Sequence, residues 1–470
     1  MKIVMFSINP LFPGYVMGGA PKHLQNIAIY LGEQGHQVQI FCTRAEGSSE
    51  PFHWHANVEV RPVLRFHQPF PMPYGVPAYD MASILHEIGD ALQAADRFYM
   101  HDGELLFPFA YQHIPTVISL RDNVYPETIL GGYLFEAHRL ILISEYSRQY
   151  YETTVGRFFP ELPQRIEVIH NGLDWSRFRP TPPSDELLSL LPFDPSQHVV
   201  VLHPHRPEPT KGIPQTLAVA DLLVHQYGIS NLRVLIPRWL DLQLTPDLQA
   251  FYDDVQAQVN ARGLQQHVVF HQWLPQRLLP EYYSLGAVTL SLGSFPESFG
   301  NAVYESMGCG TPSIAARIAT HRELLPDHLI DKVDFDDAQS AAGIAADIIR
   351  SGRRTSPETL SYLHEYYGID RQLARYADLI LNAEIAPPMQ YRHPVIDAST
   401  RFRLAPWCYV NAAGEVYHDF RADYASLGVL TSLLRNAEDG ITFAQAASAG
   451  IDAEAIHHWL REGYLVPVFE

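Results

Sequence analysis

Short apolar runs of strand length alternate with segments of helical periodicity along this chain, and after a stretch rich in proline and serine the whole alternation starts again. That repetition restricts the fold more than any other feature, because strands joined through helices pair in parallel and bury both faces of their sheet. In the first series residues 2–8 read as a strand, a Pro/Gly loop ends at Gly18-Gly19, and Leu24, Ile27, Ala28 and Leu31 recur at helical spacing until Gly35. Residues 37–42, 58–63, 98–101, 116–120, 140–143 and 166–169 read as the further strands of one doubly wound domain. Residues 179–197 then serve as a connection. Beyond it, residues 199–203, 233–236, 268–270, 288–292 and 313–316 form a second strand series, closed by helical patterns at 338–349 and 371–382. Two similar α/β halves are therefore expected, over residues 1–175 and 176–388, with Pro387-Pro388 marking a linker to a third segment, 389–470.

Composition narrows the functions such a chain can serve. With 47% apolar and 18% charged residues in 470, it can bury enough surface to fold without disulfides. Its 33 Lys+Arg against 52 Asp+Glu leave a net charge of −19, which argues against a nucleic-acid or anionic-membrane surface. The three cysteines, Cys42, Cys309 and Cys408, lie far apart and read as core residues. The apolar run at residues 3–8 stops at Asn9-Pro10, too short for a signal peptide. No stretch approaches the ~20 apolar residues of a membrane span. A soluble, cytoplasmic protein is the expectation.

Open α/β sheets bind ligands beyond the carboxyl ends of their strands, and the chemistry-bearing residues gather there. Gly18-Gly19 opens a helix, where free N–H groups suit a phosphate, although a glycine pair at that place is more often an ordinary turn. Arg206 and Lys211 lie between a strand and a helix, and two cations on a tight loop suit a diphosphate leaving group. The chain has only four lysines, which sets Lys211 apart from a solvated surface charge. In the segment 296–312, Glu297 follows a strand, Glu305 lies two helical turns on, and Phe299, Gly300 and Asn301 offer N–H groups at a helix start. A carboxylate accepts two hydroxyl hydrogen bonds, which suits vicinal diols, whereas two isolated glutamates on a helix are ordinarily solvated charges.

Glu297 and Glu305, with seven residues between them and Gly310-Thr311-Pro312 beyond, resemble the paired-glutamate signature of retaining glycosyltransferases of family four. Arg206 and Lys211 resemble that family's diphosphate-binding pair, Gly18-Gly19 its N-terminal glycine loop, and His170-Asn171-Gly172-Leu173-Asp174 with Phe178 its entry into the second domain. The resemblance covers roughly residues 1–385. It implies the GT-B fold, two Rossmann-like domains facing a central cleft, with a nucleoside-diphosphate sugar as donor and the last helix of the second domain packed back on the first. It further implies that Glu305 holds the ribose, Glu297 the transferred sugar, and Arg206 with Lys211 the departing diphosphate, without metal or other cofactor. Anomeric retention follows from acceptor attack on the face from which the diphosphate leaves.

The sequence departs from the family at one place. Many members carry a histidine after the strand matching residues 116–120, where Arg121 stands here, followed by Asp122 and Asn123. Arginine is no base near neutral pH, so it is assigned to holding phosphate or a sugar hydroxyl. His101, Asp102 and Asn123 are the acceptor-side candidates, although a strand-end histidine is more often structural. A nucleotide-sugar epimerase of the same fold and a non-catalytic nucleotide-sugar-binding scaffold are the alternatives. A dinucleotide dehydrogenase is disfavoured, because no complete G-x-G-x-x-G follows the first strand.

The segment from 389 lies outside the family pattern. A hairpin at 407–420, helices at 426–434, 442–447 and 453–462 and an apolar end at 464–469 resemble a winged-helix α+β module, more narrowly the peptide-binding domains of enzymes that modify ribosomal peptides. A peptide acceptor bound there and a structural cap or dimerisation element are weighed equally. From Arg392 onward no lysine, six arginines and ten acids occur, which disfavours DNA.

Overall fold

The computed structural model describes all residues except 17, 67–74, 103–107, 239–244, 438 and 470, with the Glu127 side chain also left aside. Two compact units emerge, one of residues 1–170, 370–418 and 424–470 and the other of 171–369 and 419–423.

The first unit holds strands β1 (Lys2–Pro10), β2 (Gln37–Thr43), β3 (Phe52–His55), β4 (Val58–Leu64), β5 (Arg97–His101), β6 (Thr116–Leu120), β7 (Arg139–Leu142) and β8 (Ile166–Val168) in the order β3-β4-β2-β1-β5-β6-β7-β8. All pairs are parallel except β3 with β4. Continuous burial along most of β1, all of β6 and most of β7 explains why their sequences show no apolar–polar alternation, since helices cover both faces of a parallel sheet. The strand β3 escapes the sequence reading because Phe52-His53-Trp54-His55 is four residues of an edge strand, with no buried residue to set an apolar period.

The second unit holds β9 (Val199–Leu202), β10 (Leu232–Pro237), β11 (Val268–His271), β12 (Val288–Ser291), β13 (Ser313–Ala316) and β14 (Asp331–Val333) in the order β11-β10-β9-β12-β13-β14, all parallel. The sequence reading omits β14, a three-residue strand that begins with two charges. In each sheet the strand order reverses beside the first strand of its series, between β1 and β5 and between β9 and β12. These are the switch points at which loops diverge to opposite faces and leave a crevice for a ligand.

Two stretches of chain at the unit boundary run side by side. Leu173 N donates to Tyr367 O at 2.8 Å and Ile369 N to Leu173 O at 3.2 Å. Gly172 is required there, because a Cβ would stand 2.5 Å from the Ile369 Cα.

Beyond Ile369 the helix Ile369–Leu381 packs with the first unit, where Arg375 donates to Val168 O at 2.9 Å and Arg97 to Leu381 O at 3.0 Å. The segment from 389 has a core of its own around Phe402, Leu430, Ile441, Ile456 and Leu465. It comprises a sheet in which Arg401–Leu404 lies between Ile441–Thr442 and Leu465–Val468, a second of Cys408–Val410, Val416–His418 and Asp423–Ala425, and helices Val429–Arg435, Phe443–Ser448 and Ala453–Arg461. The first helix starts later than residue 426 because Gly428, at φ 59, is its N-cap and takes a conformation no helix accommodates. Thr442 likewise lies outside its helix, as the cap of a reciprocal capping box with Gln445. Within the same unit, Tyr150 meets Trp407 at 5.4 Å between ring centroids, and Arg392 N donates to Phe158 O at 2.8 Å. All three cysteines are buried and none is in a disulfide. Among the described residues no helix is long and apolar enough to cross a membrane.

Candidate functional site

The second unit's site is built by the loops that leave β9 and β12. These strands are paired, Val201 opposite Val288 and Leu202 opposite Thr289, so their carboxyl ends deliver residues 203–212 and 292–300 side by side. The loops touch through glycines. A Cβ on Gly212, at φ 86, would lie 2.6 Å from the Gly293 Cα, and Phe295 N donates to Thr210 O at 3.0 Å. This close approach brings Lys211 to Glu297, 86 residues apart in sequence, with Nζ 2.7 Å from Oε1. Lys211 also lies over the Phe295 ring, 3.5 Å from its centroid.

The electrostatics follow from burial and pairing. Burial alone would raise the Glu297 carboxyl, but the Lys211 ammonium, its hydrogen bond and the nearby His205 and His321 outweigh that and hold it below the usual value. His205 and His321 are pushed down to about 4, first by burial, and both stay neutral at physiological pH. Among the described residues, three buried polar atoms of this cluster have no hydrogen-bond partner: His205 Nε2, Ser298 Oγ and His321 Nε2. His321 is held from its other nitrogen, 3.1 Å from the Tyr304 hydroxyl, and its ring packs where a Gly300 Cβ would be, 2.5 Å from Cε1. Arg206 is half exposed and 3.3 Å from Glu208.

Gly300, at φ 81, caps the helix Asn301–Gly308, while the Phe299 side chain is buried against Tyr304 and Tyr367 and Asn301 Oδ1 accepts from Asn171 at 3.0 Å. Phe299 thus offers its backbone and not its ring. Glu305 lies along this helix and accepts from the Tyr283 hydroxyl at 2.9 Å. Burial pushes its carboxyl up to about 7, with the Tyr283 hydrogen bond and Arg177 opposing. The chain's Asp-x-Asp triplet, Asp334-Phe335-Asp336, lies in the turn between β14 and the helix Ala338–Ser351. There Asp336 adopts φ 65 and accepts from Gln215 at 3.3 Å, so it serves the turn.

The first unit carries a second cluster at its own switch point. Gly18, at φ 91, caps the helix Gly19–Glu33 that follows β1. His101, at the end of β5, holds the start of that helix, its Nε2 3.0 Å from Ala20 O. The carbonyl can only accept, so the proton is on Nε2 and Nδ1 accepts from the Tyr99 hydroxyl at 2.9 Å. Both ring nitrogens are thus used internally, which makes His101 an anchor of the glycine loop.

Arg121, from the loop after β6, points its Nη1 at His23 Nδ1, 2.9 Å away, and at the Tyr376 hydroxyl, 3.4 Å away. Guanidinium only donates, so the His23 proton sits on Nε2, a buried atom without a partner. Burial, followed by the Arg121 charge, keeps both imidazoles well below their usual pKa. Asp102 adopts φ 67 and accepts from Arg121 N at 3.2 Å, and burial together with Asp122 raises its carboxyl. Asn123 is buried, and among the described residues neither of its amide atoms has a partner. Asp122 caps the turn into the helix Pro126–Tyr133, accepting from Val124 N and from Thr128 Oγ1 at 3.0 Å each.

The predicted residues therefore divide between the units. Arg206, Lys211, Glu297, Phe299, Gly300, Asn301 and Glu305 lie in the second, and Gly18, Gly19, His101, Asp102, Arg121 and Asn123 in the first. Sequence reasoning missed His205 and His321 beside Glu297, and His23 and Tyr376 beside Arg121. His205 directly precedes Arg206, a proximity that was legible; the other three arrive only through packing.

This architecture is similar to the GT-B-like fold of glycosyltransferases, and the comparisons with known proteins agree. Residues 17–177 match the model of Glycosyltransferase Family 4 and residues 193–352 that of Glycosyl transferases group 1, so the chain carries both domain types of this class. A D-inositol 3-phosphate glycosyltransferase of Acidothermus cellulolyticus is 33% identical over 162 residues, 33% of this chain and 34% of that protein. The match therefore spans about a third of that relative's length. The protein of the same name from Segniliparus rotundus is 25% identical over 334 residues, 64% of this chain and 70% of its own. Among solved structures, Anabaena HepE in complex with UDP and glucose superposes with a TM-score of 0.61 at 20% identity, covering 80% of this chain and 98% of that one.

Proposed function

We infer that the protein transfers a sugar, with retention at the anomeric carbon, from a nucleoside-diphosphate sugar to an acceptor hydroxyl or other nucleophile. One observation carries this reading: the Lys211–Glu297 pair at the β9/β12 switch point, surrounded by the unpartnered polar atoms of His205, Ser298 and His321. Buried polar groups without partners cost free energy unless a ligand satisfies them, and hydroxyls of a sugar can do so. Lys211 and Arg206 are assigned to the charge that grows on the departing diphosphate. Glu297 is assigned to the transferred sugar and Glu305 to the ribose, each accepting hydroxyl hydrogen bonds. Metal independence belongs to the same proposal, because these two cations occupy the role a metal ion fills elsewhere. Retention follows if the departing phosphate, on the same face as the acceptor, takes its proton.

In the first unit, the His23 Nε2 proton and the Asn123 amide are assigned to acceptor hydroxyls. The relatives' named acceptor, inositol 3-phosphate, is the first candidate. A peptide is the second, supported by the edge position of Leu465–Val468 in its sheet and by the winged-helix-like order of the surrounding segment. A panel of nucleotide sugars scored for slow hydrolysis tests the reading, followed by transfer to each acceptor with the product's anomeric configuration read by NMR. Diphosphate release from at least one donor is expected. No release from any donor favours a scaffold, and sugar inversion without an acceptor favours an epimerase.

A further inference from the structure

The residues 419–423 leave the C-terminal segment to join the second unit, although both flanking stretches belong to the first. Asp419 is fully buried there, and its carboxylate meets a short turn, the 3-10 segment Ala319–Arg322 that follows β13. Arg322 grips it in bidentate fashion, Nη1 to Oδ1 and Nη2 to Oδ2 at 2.8 Å each. The same Oδ1 accepts from the Ala319 backbone N–H at 3.2 Å. Ala319 adopts φ 46, a left-handed conformation that is strained for an alanine and persists only where the surroundings enforce it. Between Ala319 and Arg322 lies His321, whose ring abuts Gly300 and adjoins Glu297.

We propose that Asp419 is a positioning residue for the donor site, bracing a strained turn so that the His321 ring is presented to the Glu297 cluster. The proposal rests on the donor-site reading above for its functional consequence, and on geometry alone for the brace. Asp419 lies outside both family-matched stretches, so the segment appended after them supplies a part of the donor unit. The brace acts through the backbone: without the carboxylate, the Ala319 N–H and Arg322 guanidinium lose their shared acceptor and the alanine relaxes toward negative φ, turning His321 away from Gly300. Glycine at 319 tolerates the left-handed conformation without strain and removes the need for enforcement.

The test uses the full chain with ring-labelled histidine, the His321 signals being assigned by loss in His321→Gln. In Asp419→Ala the His321 signals are expected to shift, and calorimetric affinity for UDP, GDP or ADP, whichever the wild type binds, to fall about tenfold or more. In Asp419→Ala with Ala319→Gly both are expected to return toward wild type, an outcome that a merely packing role for Asp419 does not give. Asp419→Leu, which fills nearly the same buried space without an acceptor, provides a second variant should the alanine fail to fold. Unchanged His321 signals in either folded variant overturn the proposal, as does a shift that Ala319→Gly fails to reverse. If the wild type binds none of the three diphosphates, the donor reading fails, while the His321 signals still decide the brace.

Discussion

The two switch-point clusters occupy the same place in two similar sheets and are wired for opposite tasks. At β9/β12 an ammonium and a carboxylate face each other at 2.7 Å, and the flanking imidazoles keep unpartnered nitrogens. At β1/β5 the cation Arg121 is aimed at a neutral imidazole and a phenol, and the neighbouring carboxyl of Asp102 is raised by burial. Repeating a fold thus repeats the crevice but not its chemistry, since the loops that fill it are free to differ. The first arrangement suits a charged leaving group with diols, and the second an acceptor hydroxyl beside a single cation.

Substitution of each cluster tests that contrast, and the greatest effect is expected at the charged one. Lys211→Ala removes the cation proposed to meet the diphosphate and leaves Glu297 without its Lys211 partner; turnover should fall by about 100-fold to 1000-fold. Steady-state kinetics with the best donor checks this. Arg206, half exposed, is expected to cost about tenfold in turnover when replaced by alanine, with donor affinity changed less. Equal turnover in Arg206→Ala would sink its assignment. Arg121→Ala should instead raise the acceptor KM, by about tenfold, and leave donor hydrolysis near the wild-type rate. A loss of donor hydrolysis as large as that in Lys211→Ala would erase the division of labour between the units.

A smaller effect distinguishes the carboxyls by pH. The folded chain keeps the Glu305 proton up to about 7, whereas the usual value is near 4.5. The folded state therefore binds more protons in that window, and Glu305's contribution to stability is lost as pH rises from about 4.5 through 7. Thermal unfolding of Glu305→Gln should show a shallower decline over that range than the wild type. The sign is opposite for the buried histidines: His23, His101, His205 and His321 stay neutral in the fold, so their contribution is lost as pH falls below about 6.5. The smallest change is expected from Tyr376→Phe, which removes one long hydrogen bond to Arg121 and should cost about 1 kcal/mol in chemical denaturation.

The sequence by itself determined the two sheets and most of the cluster around Lys211 and Glu297. Buried parallel strands leave unbroken apolar runs, and Arg206, Lys211, Glu297 and Glu305 sit within two short segments whose spacing the loops and one helix impose. Elements with little to bury left no such trace: β3 is a short edge strand and β14 begins with Asp331-Lys332. Tertiary structure alone decided the rest. His321 reaches Glu297 because Gly300 leaves room for its ring, His23 and Tyr376 meet Arg121 across 98 and 255 residues, and Asp419 braces a turn 100 residues away. Periodicity and spacing record what neighbours in the chain require of one another. Which distant polar group completes a buried one is settled only when packing removes water from both.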